Sequence, residues 1–144
     1  MRRPWLVLAV ACALFAGSAS VARAADDTPT MLAGVRVIAA EELRALLGNG
    51  AVKIDDLRKK ASYVEGHVPG ATSAAPRYNE RENRLDTRFL GADRAGTVVF
   101  YSHGVDGWKS YWAAKNAIEA GYKNVLWFHG GYAEWEEKSL PIMR

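Results

Sequence analysis

Cysteine is almost absent from this chain of 144 residues. The single cysteine, Cys12, lies in the apolar N-terminal stretch, and residues 13–144 contain none. The part of the chain beyond that stretch therefore cannot form a disulfide, a thiolate metal site or a thiol nucleophile of its own. Four tryptophans lie between residues 108 and 135. A domain of about 120 residues with such bulky side chains can fold on its hydrophobic core alone.

The chain also lacks an apolar run of the length that crosses a membrane, which is about 20 residues. It begins with a short basic segment, 1–3, continues with an apolar segment, 4–16, and reaches a small-x-small sequence at 22–24. This order is typical of a secretory signal peptide. We expect residues 1–24 to be removed and the mature protein to be periplasmic or secreted, without a membrane partner. An uncleaved anchor and a lipoprotein modified at Cys12 are the alternatives.

The predicted mature part has no excess charge of either sign. The whole chain has 19 Lys and Arg against 16 Asp and Glu, a formal charge of +3. Removal of residues 1–24 takes away Arg2, Arg3 and Arg23 but no acidic residue, which leaves 16 basic and 16 acidic residues. This balance gives no reason to expect nucleic acid or an anionic lipid surface as a partner.

Strand and helix patterns alternate along the mature chain. Strands are predicted at 35–38, 51–57, 72–75, 97–101 and 124–128, and helices at 39–47, 59–65, 109–120 and 130–135. This alternation predicts an α/β fold, with a mostly parallel central sheet of about five strands and helices on both faces.

Two segments are harder to interpret. Residues 25–34 are small and polar, and we interpret them as a linker or a frayed end. Residues 76–94 are densely charged, which favours a solvated helix or a long loop. Residues 35–144 are predicted to form one domain, and we expect it to be monomeric.

Three groups of residues resemble the rhodanese-like domain family. The first is Asp-Leu-Arg at 56–58 with Gly-His-Val-Pro-Gly-Ala at 66–71, which is similar to the strand end and the following turn of that family. The second is the apolar strand 98–101, which runs into a loop. The third combines Gly-Tyr and Gly-Gly pairs with a tryptophan within 121–135. The resemblance covers nearly all of residues 35–141 and implies the family's α/β fold.

The resemblance places Ser102 where active rhodaneses carry their catalytic cysteine. That cysteine takes sulfane sulfur from a donor as a persulfide and passes it to a thiophilic acceptor. A serine hydroxyl is a weak nucleophile, and an oxygen atom cannot form a persulfide. The resemblance therefore implies the fold and argues against sulfurtransferase activity. We expect no catalytic residue, no cofactor and no bound metal.

The sequence from Trp108 to Lys115 resembles a more specific group, exported rhodanese-related proteins associated with pyrroloquinoline-quinone-dependent catabolism. That group carries two loop cysteines, and the second directly precedes a tryptophan. Here Gly107 precedes Trp108, so both cysteines would be missing. The loop is also longer than the usual sulfurtransferase loop.

The candidate site is the loop that follows strand 97–101. It consists of Ser102, His103, Gly104, Val105, Asp106, Gly107, Trp108 and Lys109. The resemblance implies that the loop amides and the next helix N-terminus form an anion nest. Trp108 is a candidate contact residue, since tryptophan is enriched at binding hot spots. We therefore expect an accessory module that binds a small anion or a periplasmic partner protein.

Three alternatives stay open. The chain could handle sulfur as a thiosulfate-type sulfurtransferase with a thiol supplied by a partner protein. Ser102 could be the nucleophile of a hydrolase, although the chain has no Gly-x-Ser-x-Gly elbow. His103 and His129 both follow predicted strands at the sheet edge where ligands bind, and with Asp106 they could form a metal site.

Structural roles are expected for several other polar and aromatic residues. His67 is predicted to make a hydrogen bond within its turn. Asp56 and Arg58 are predicted to form a charged pair near the sheet edge. Trp112 and Trp127 are predicted to lie in the core.

Overall fold

The computed structural model describes residues 26–144. The predicted signal peptide, 1–24, and its cleavage site lie outside the described residues. Within 26–144, none of the helices is both long enough and apolar enough to cross a membrane.

Seven strands, four α-helices and two short 3-10 helices, Ala75–Arg77 and Thr87–Leu90, form the regular structure of the described residues. The strands are β1 (Val35–Ile38), β2 (Val52–Asp56), β3 (Thr72–Ser73), β4 (Tyr78–Asn79), β5 (Arg84–Leu85), β6 (Thr97–Tyr101) and β7 (Asn124–Phe128). The helices are α1 (Ala40–Leu46), α2 (Lys60–Glu65), α3 (Trp108–Glu119) and α4 (Gly131–Glu137).

Five of the strands form one sheet, in the order β1-β7-β6-β2-β3. Every pairing in this sheet is parallel, and Tyr101 at the end of β6 lies between Asp56 of β2 and Phe128 of β7. The carboxyl ends of the strands therefore meet at one edge, which is where ligands bind in open α/β sheets. The predicted fold class is confirmed.

Both faces of the sheet are covered, as the uniformly apolar sequence of β6 predicts. Val99 and Tyr101 face a core that includes Trp135 of α4. Val98 and Phe100 face the opposite core, which includes three buried alanines of α3. Because small side chains line this side of α3, the helix can pack closely on the sheet. The base of the loop after β6 is thus fixed by buried residues on both sides.

The charged segment 76–94 differs from the predicted helix or long loop. It contains the antiparallel hairpin of β4 and β5, with Asn83 at a positive φ of 48° in its turn. Leu85 and Leu90 are buried against the α3 side of the sheet. The Leu85 amide also donates to Asn116 Oδ1 of α3 at 2.8 Å. Two apolar anchors therefore hold a segment whose charged residues remain at the surface.

Candidate functional site

Residues 102–107 connect the end of β6 to the start of α3, at the carboxyl edge of the sheet. Ser102 is the first of them, and only 3% of its surface is exposed. A Cβ atom on Gly107 would lie 2.8 Å from Ser102 Cβ and 2.8 Å from Gly104 O. The absence of a side chain at residue 107 therefore lets the loop close over Ser102.

Helix α4 holds the first half of the loop by its backbone. The Tyr132 amide donates to Ser102 O at 2.9 Å, and the Ala133 amide donates to His103 O at 2.8 Å. Gly131 has a φ of +60°, and a Cβ atom there would lie 2.6 Å from Ser102 O. Because both the conformation and the close approach favour glycine, Gly131 is what lets α4 reach the loop.

The second half of the loop is held in the same manner. Gly104 O accepts from the Gly107 amide at 2.8 Å, and Val105 O accepts from the Thr28 amide at 2.9 Å. In a planar trans peptide the carbonyl and the next N–H point in opposite directions. The amides of residues 103–106 therefore point away from the groups that hold the four carbonyls. Within residues 26–144 these four amides donate to no backbone acceptor. The amides of His103 and Asp106 belong to residues that line the adjoining cleft and are available to an anion there.

A cleft of about 360 Å³ opens beside the loop. Its lining consists of Arg58, Lys59, Ser102, His103, Asp106, Gly107, Trp108 and Lys109. The Lys109 ammonium forms an ion pair with Glu80 of the hairpin segment. Lys59 has no salt bridge to any residue in 26–144 and is exposed. Lys59 is therefore the cation of the cleft that is most available to a ligand, and sequence reasoning did not single it out.

A buried charged cluster lies beneath the loop. Arg58 Nη2 donates to Asp56 Oδ2 at 2.6 Å and to Gly66 O at 2.7 Å, and Tyr101 donates to the same carboxylate oxygen at 2.7 Å. The Arg58 guanidinium also lies 3.8 Å from the ring centre of Tyr132. The Asp56–Arg58 pair has the structural role that the sequence predicts, and its charge is already compensated.

The electrostatic effects in this cluster follow from burial and from the ion pair. Burial, reinforced by the charge of Asp56, raises the pKa of Tyr101, so its hydroxyl remains a donor. Burial alone would lower the pKa of Arg58, but the hydrogen bonds and charge of Asp56 raise it overall. The Tyr101 hydroxyl and the Arg58 guanidinium therefore stay protonated, and both support the loop as hydrogen-bond donors.

The histidines lie in three different environments. His103 is exposed on the loop, and Nδ1 of His67 lies 2.9 Å from Tyr63 O, in the structural role predicted for that turn. His129 is half-buried with Nε2 2.8 Å from Thr28 Oγ1, and burial lowers its pKa. Within residues 26–144, no three His, Cys, Asp or Glu side chains are grouped to hold a metal ion. The structure therefore does not assemble His103, His129 and Asp106 into a metal site.

The aromatic residues near the loop form a continuous cluster. The Trp108 side chain is 37% exposed and contacts Tyr111 and Trp112 through its ring. Trp127 is fully buried and packs edge-on against Tyr111. Trp112 is only half-buried, contrary to its predicted core position, because it lies on the solvent side of α3 next to Lys115. Trp108 is thus the most exposed member of the cluster, and Tyr111 and Trp112 are half-buried.

The segment before β1, interpreted from sequence as a linker, contacts this loop. Thr28 is buried, with 3% of its surface exposed, and its hydroxyl donates to Val105 O at 2.8 Å. The Trp108 indole Nε1 donates to Asp26 O at 2.6 Å. The first contact joins residues that are 77 positions apart in the chain, and the second joins residues that are 82 positions apart. No local sequence pattern could therefore reveal them.

Residues 39–138 match the family model of the rhodanese-like domain. The chain belongs to the rhodanese-like domain family. The rhodanese-like match includes β2, β6, β7 and the whole loop 102–109. The family assignment therefore rests on the same elements that build the cleft.

Two relatives with curated names are similar to this chain. The "Putative thiosulfate sulfurtransferase" of Synechococcus elongatus is 29% identical over 131 residues, which cover 81% of this chain and 41% of that protein. Thiosulfate sulfurtransferase GlpE of Pseudoalteromonas translucida is 33% identical over 91 residues, which cover 63% of this chain and 79% of that protein. This chain therefore spans about two fifths of the first relative and most of the second.

The fold also matches solved structures. The rhodanese-like domain of the Anabaena sp. Alr3790 protein has a TM-score of 0.58 and 24% sequence identity to this chain. The match covers 74% of this chain and 76% of the Anabaena domain. At this identity the likeness is one of fold.

Proposed function

We propose that this rhodanese-like domain binds a small anion at the loop 102–109 and does not transfer sulfur. The observation that carries the proposal is the combination of an oxygen atom at position 102 with four amides at 103–106 that have no backbone acceptor within residues 26–144. Lys59 adds a positive charge to the cleft that His103 and Asp106 of this loop also line. An anion can be held by this arrangement without a covalent bond.

The absence of sulfur transfer is proposed on chemical grounds. In the thiosulfate reaction a cysteine thiolate attacks the outer sulfur, sulfite leaves, and a persulfide remains on the enzyme. An acceptor such as cyanide then takes the outer sulfur and restores the thiolate. Ser102 can supply neither the thiolate nor a persulfide, and residues 26–144 contain no cysteine that could replace it.

The binding half of the proposal is tested by titrating the protein with thiosulfate and sulfate while recording backbone amide resonances. We expect saturable shifts of the amides at 103–106. Lys59→Gln should weaken binding roughly fivefold, which corresponds to about 1 kcal/mol for a charge pair near water. Lys60→Gln is the matched control, since this neighbouring lysine does not line the cleft. Shifts that do not saturate, or that centre on other residues, contradict the proposal.

The chemical half is tested by the thiosulfate:cyanide sulfurtransferase assay on the protein and on Ser102→Ala. We expect equal, background rates. A higher rate in the protein than in the alanine variant contradicts the proposal. A rate that appears only when a thiol-containing partner protein is added would support the alternative, in which the partner supplies the sulfur-carrying group.

We also propose that the domain acts outside the cytoplasm. The support is the basic, apolar and small-residue order of residues 1–24. N-terminal sequencing of the protein from a periplasmic fraction should begin at Ala25. Recovery of the uncleaved chain from the cytoplasm alone would contradict this proposal.

A further inference from the structure

Thr28 is the most deeply engaged residue of the segment that precedes β1. Its amide and its hydroxyl both donate to Val105 O, at 2.9 and 2.8 Å. Its Oγ1 also lies 2.8 Å from Nε2 of His129, which follows the last residue of β7. A residue from the N-terminal segment thus joins the apex of the loop to the edge of the sheet.

We propose that Thr28 is a positioning residue for the anion-binding loop, acting through Val105 and His129. The inference rests on the proposed function, because it concerns how the same four amides are presented. Thr28 itself does not line the cleft of about 360 Å³. It therefore acts on the orientation of the loop and not by touching the anion.

The orientation of one peptide unit shows how this works. The carbonyls of residues 102 and 103 are held by α4, and that of residue 104 is held by Gly107 within the loop. The carbonyl of Val105 is held by Thr28 of the segment that precedes β1. Because the carbonyl and the following amide of a trans peptide are antiparallel, Thr28 determines the direction of the Asp106 amide. Loss of the tether frees that peptide unit to rotate.

A second contact links the same segment to the cleft. Asp26 O accepts a hydrogen bond from the Trp108 indole, and Trp108 lines the cleft. Thr28 lies two residues further along and anchors this part of the chain by its buried hydroxyl. Release of Thr28 should therefore also release the indole, which gives a spectroscopic signature separate from anion binding.

The test compares Thr28→Val, Thr28→Ser and Thr30→Val in the otherwise unaltered chain. The valine variant keeps the shape and the backbone donor but removes the hydroxyl, and the serine variant restores it. Thr30 is exposed and serves as the matched control on the same segment. The readouts are the His129 ring titration, hydrogen exchange of the Trp108 indole, the Asp106 amide resonance and the affinity for thiosulfate.

We expect Thr28→Val to move the His129 titration midpoint and the Asp106 resonance and to speed indole exchange. Thiosulfate affinity should fall roughly fivefold, the equivalent of one neutral hydrogen bond of about 1 kcal/mol. Thr28→Ser should restore these properties, and Thr30→Val should leave them unchanged.

Two results overturn the inference: wild-type loop resonances and affinity in Thr28→Val, or the same changes in Thr30→Val. If the wild-type protein binds no thiosulfate, the proposed function fails. Thr28 is then still decided by the resonances alone. A change of Asp106 and Trp108 confined to Thr28→Val supports the inference, and an unchanged loop overturns it.

Discussion

Asp55 and Asp56 are neighbouring carboxyl residues of β2 with opposite environments. Asp56 is fully buried and accepts hydrogen bonds from Arg58 and Tyr101. Asp55 is 2% exposed, and its Oδ2 has no hydrogen-bond partner in the described structure. Because successive side chains of a strand point to opposite faces, only Asp56 reaches the cluster beneath the loop. The comparison separates a carboxylate that supports the site from one that opposes folding.

The difference also appears in the acid–base behaviour of Asp55. Burial raises its pKa to about 7, although the nearby charge of Lys53 lowers it. Asp55 therefore takes up a proton in the folded protein at a pH where an unfolded chain has already lost it. Asp56 thus stabilises the cluster on one face of β2, whereas Asp55 on the other face lowers the stability of the fold by an amount that depends on pH.

The largest effect is expected from Asp56→Asn. This change leaves the Arg58 charge buried without its partner, and the loss of one member of such a pair costs about 3–5 kcal/mol. The measurement is urea unfolding at pH 7. Asp86→Asn removes a carboxylate from a pair with Arg88, whose side chain is 90% exposed, and should lower the unfolding free energy by at most about 1 kcal/mol. Equal losses of unfolding free energy in the two variants would show that burial does not make the Asp56–Arg58 pair more important than the Asp86–Arg88 pair.

A smaller effect, of opposite sign, is expected from Asp55→Asn. The folded protein binds the Asp55 proton more tightly than the unfolded chain, whose Asp pKa is about 3.9. The contribution of Asp55 to stability is therefore most favourable below about pH 4, becomes less favourable as the pH rises towards 7, and is fully lost above that value. The variant should be more stable than the protein by a few kcal/mol at pH 8, and no more stable at pH 4.

The measurement for Asp55→Asn is the free energy of unfolding in urea at several pH values between 4 and 8. Asp93→Asn, on the exposed surface, controls for the general effect of removing a carboxylate. If the difference in unfolding free energy between Asp55→Asn and the unaltered protein does not grow with pH, burial does not raise the pKa of Asp55, and this prediction is wrong.

Much of the fold could be predicted from sequence because it depends on strong local patterns. The uninterrupted apolar segment 97–101 specifies a buried strand, and 124–128 does the same next to it. Gly121, with a φ of +89°, follows α3 where the sequence predicts the helix to end. The Ser102–Lys109 loop could be located because a loop at the end of the central parallel strand must lie at the carboxyl edge.

Other features could not be predicted because they depend on contacts between distant parts of the chain. The hairpin in 76–94 has strands of only two residues, which leave no periodic pattern. Thr28 was part of an assumed linker, and its partners Val105 and His129 are 77 and 101 positions away. The cost of burying Asp55 was also hidden, since two adjacent acidic residues at the end of a strand do not reveal which of them meets a compensating partner.

The central claim is that an intact anion-binding loop surrounds an oxygen atom that cannot carry sulfur. The most direct measurement is intact-protein mass spectrometry after incubation with thiosulfate, on the protein and on Ser102→Cys. We expect no adduct on the protein, and a gain of one sulfur atom at position 102 in the cysteine variant. A sulfur adduct at Ser102 in the unaltered protein would contradict the claim about the oxygen. Failure of a folded Ser102→Cys variant to take up sulfur would contradict the claim that the surrounding loop is intact.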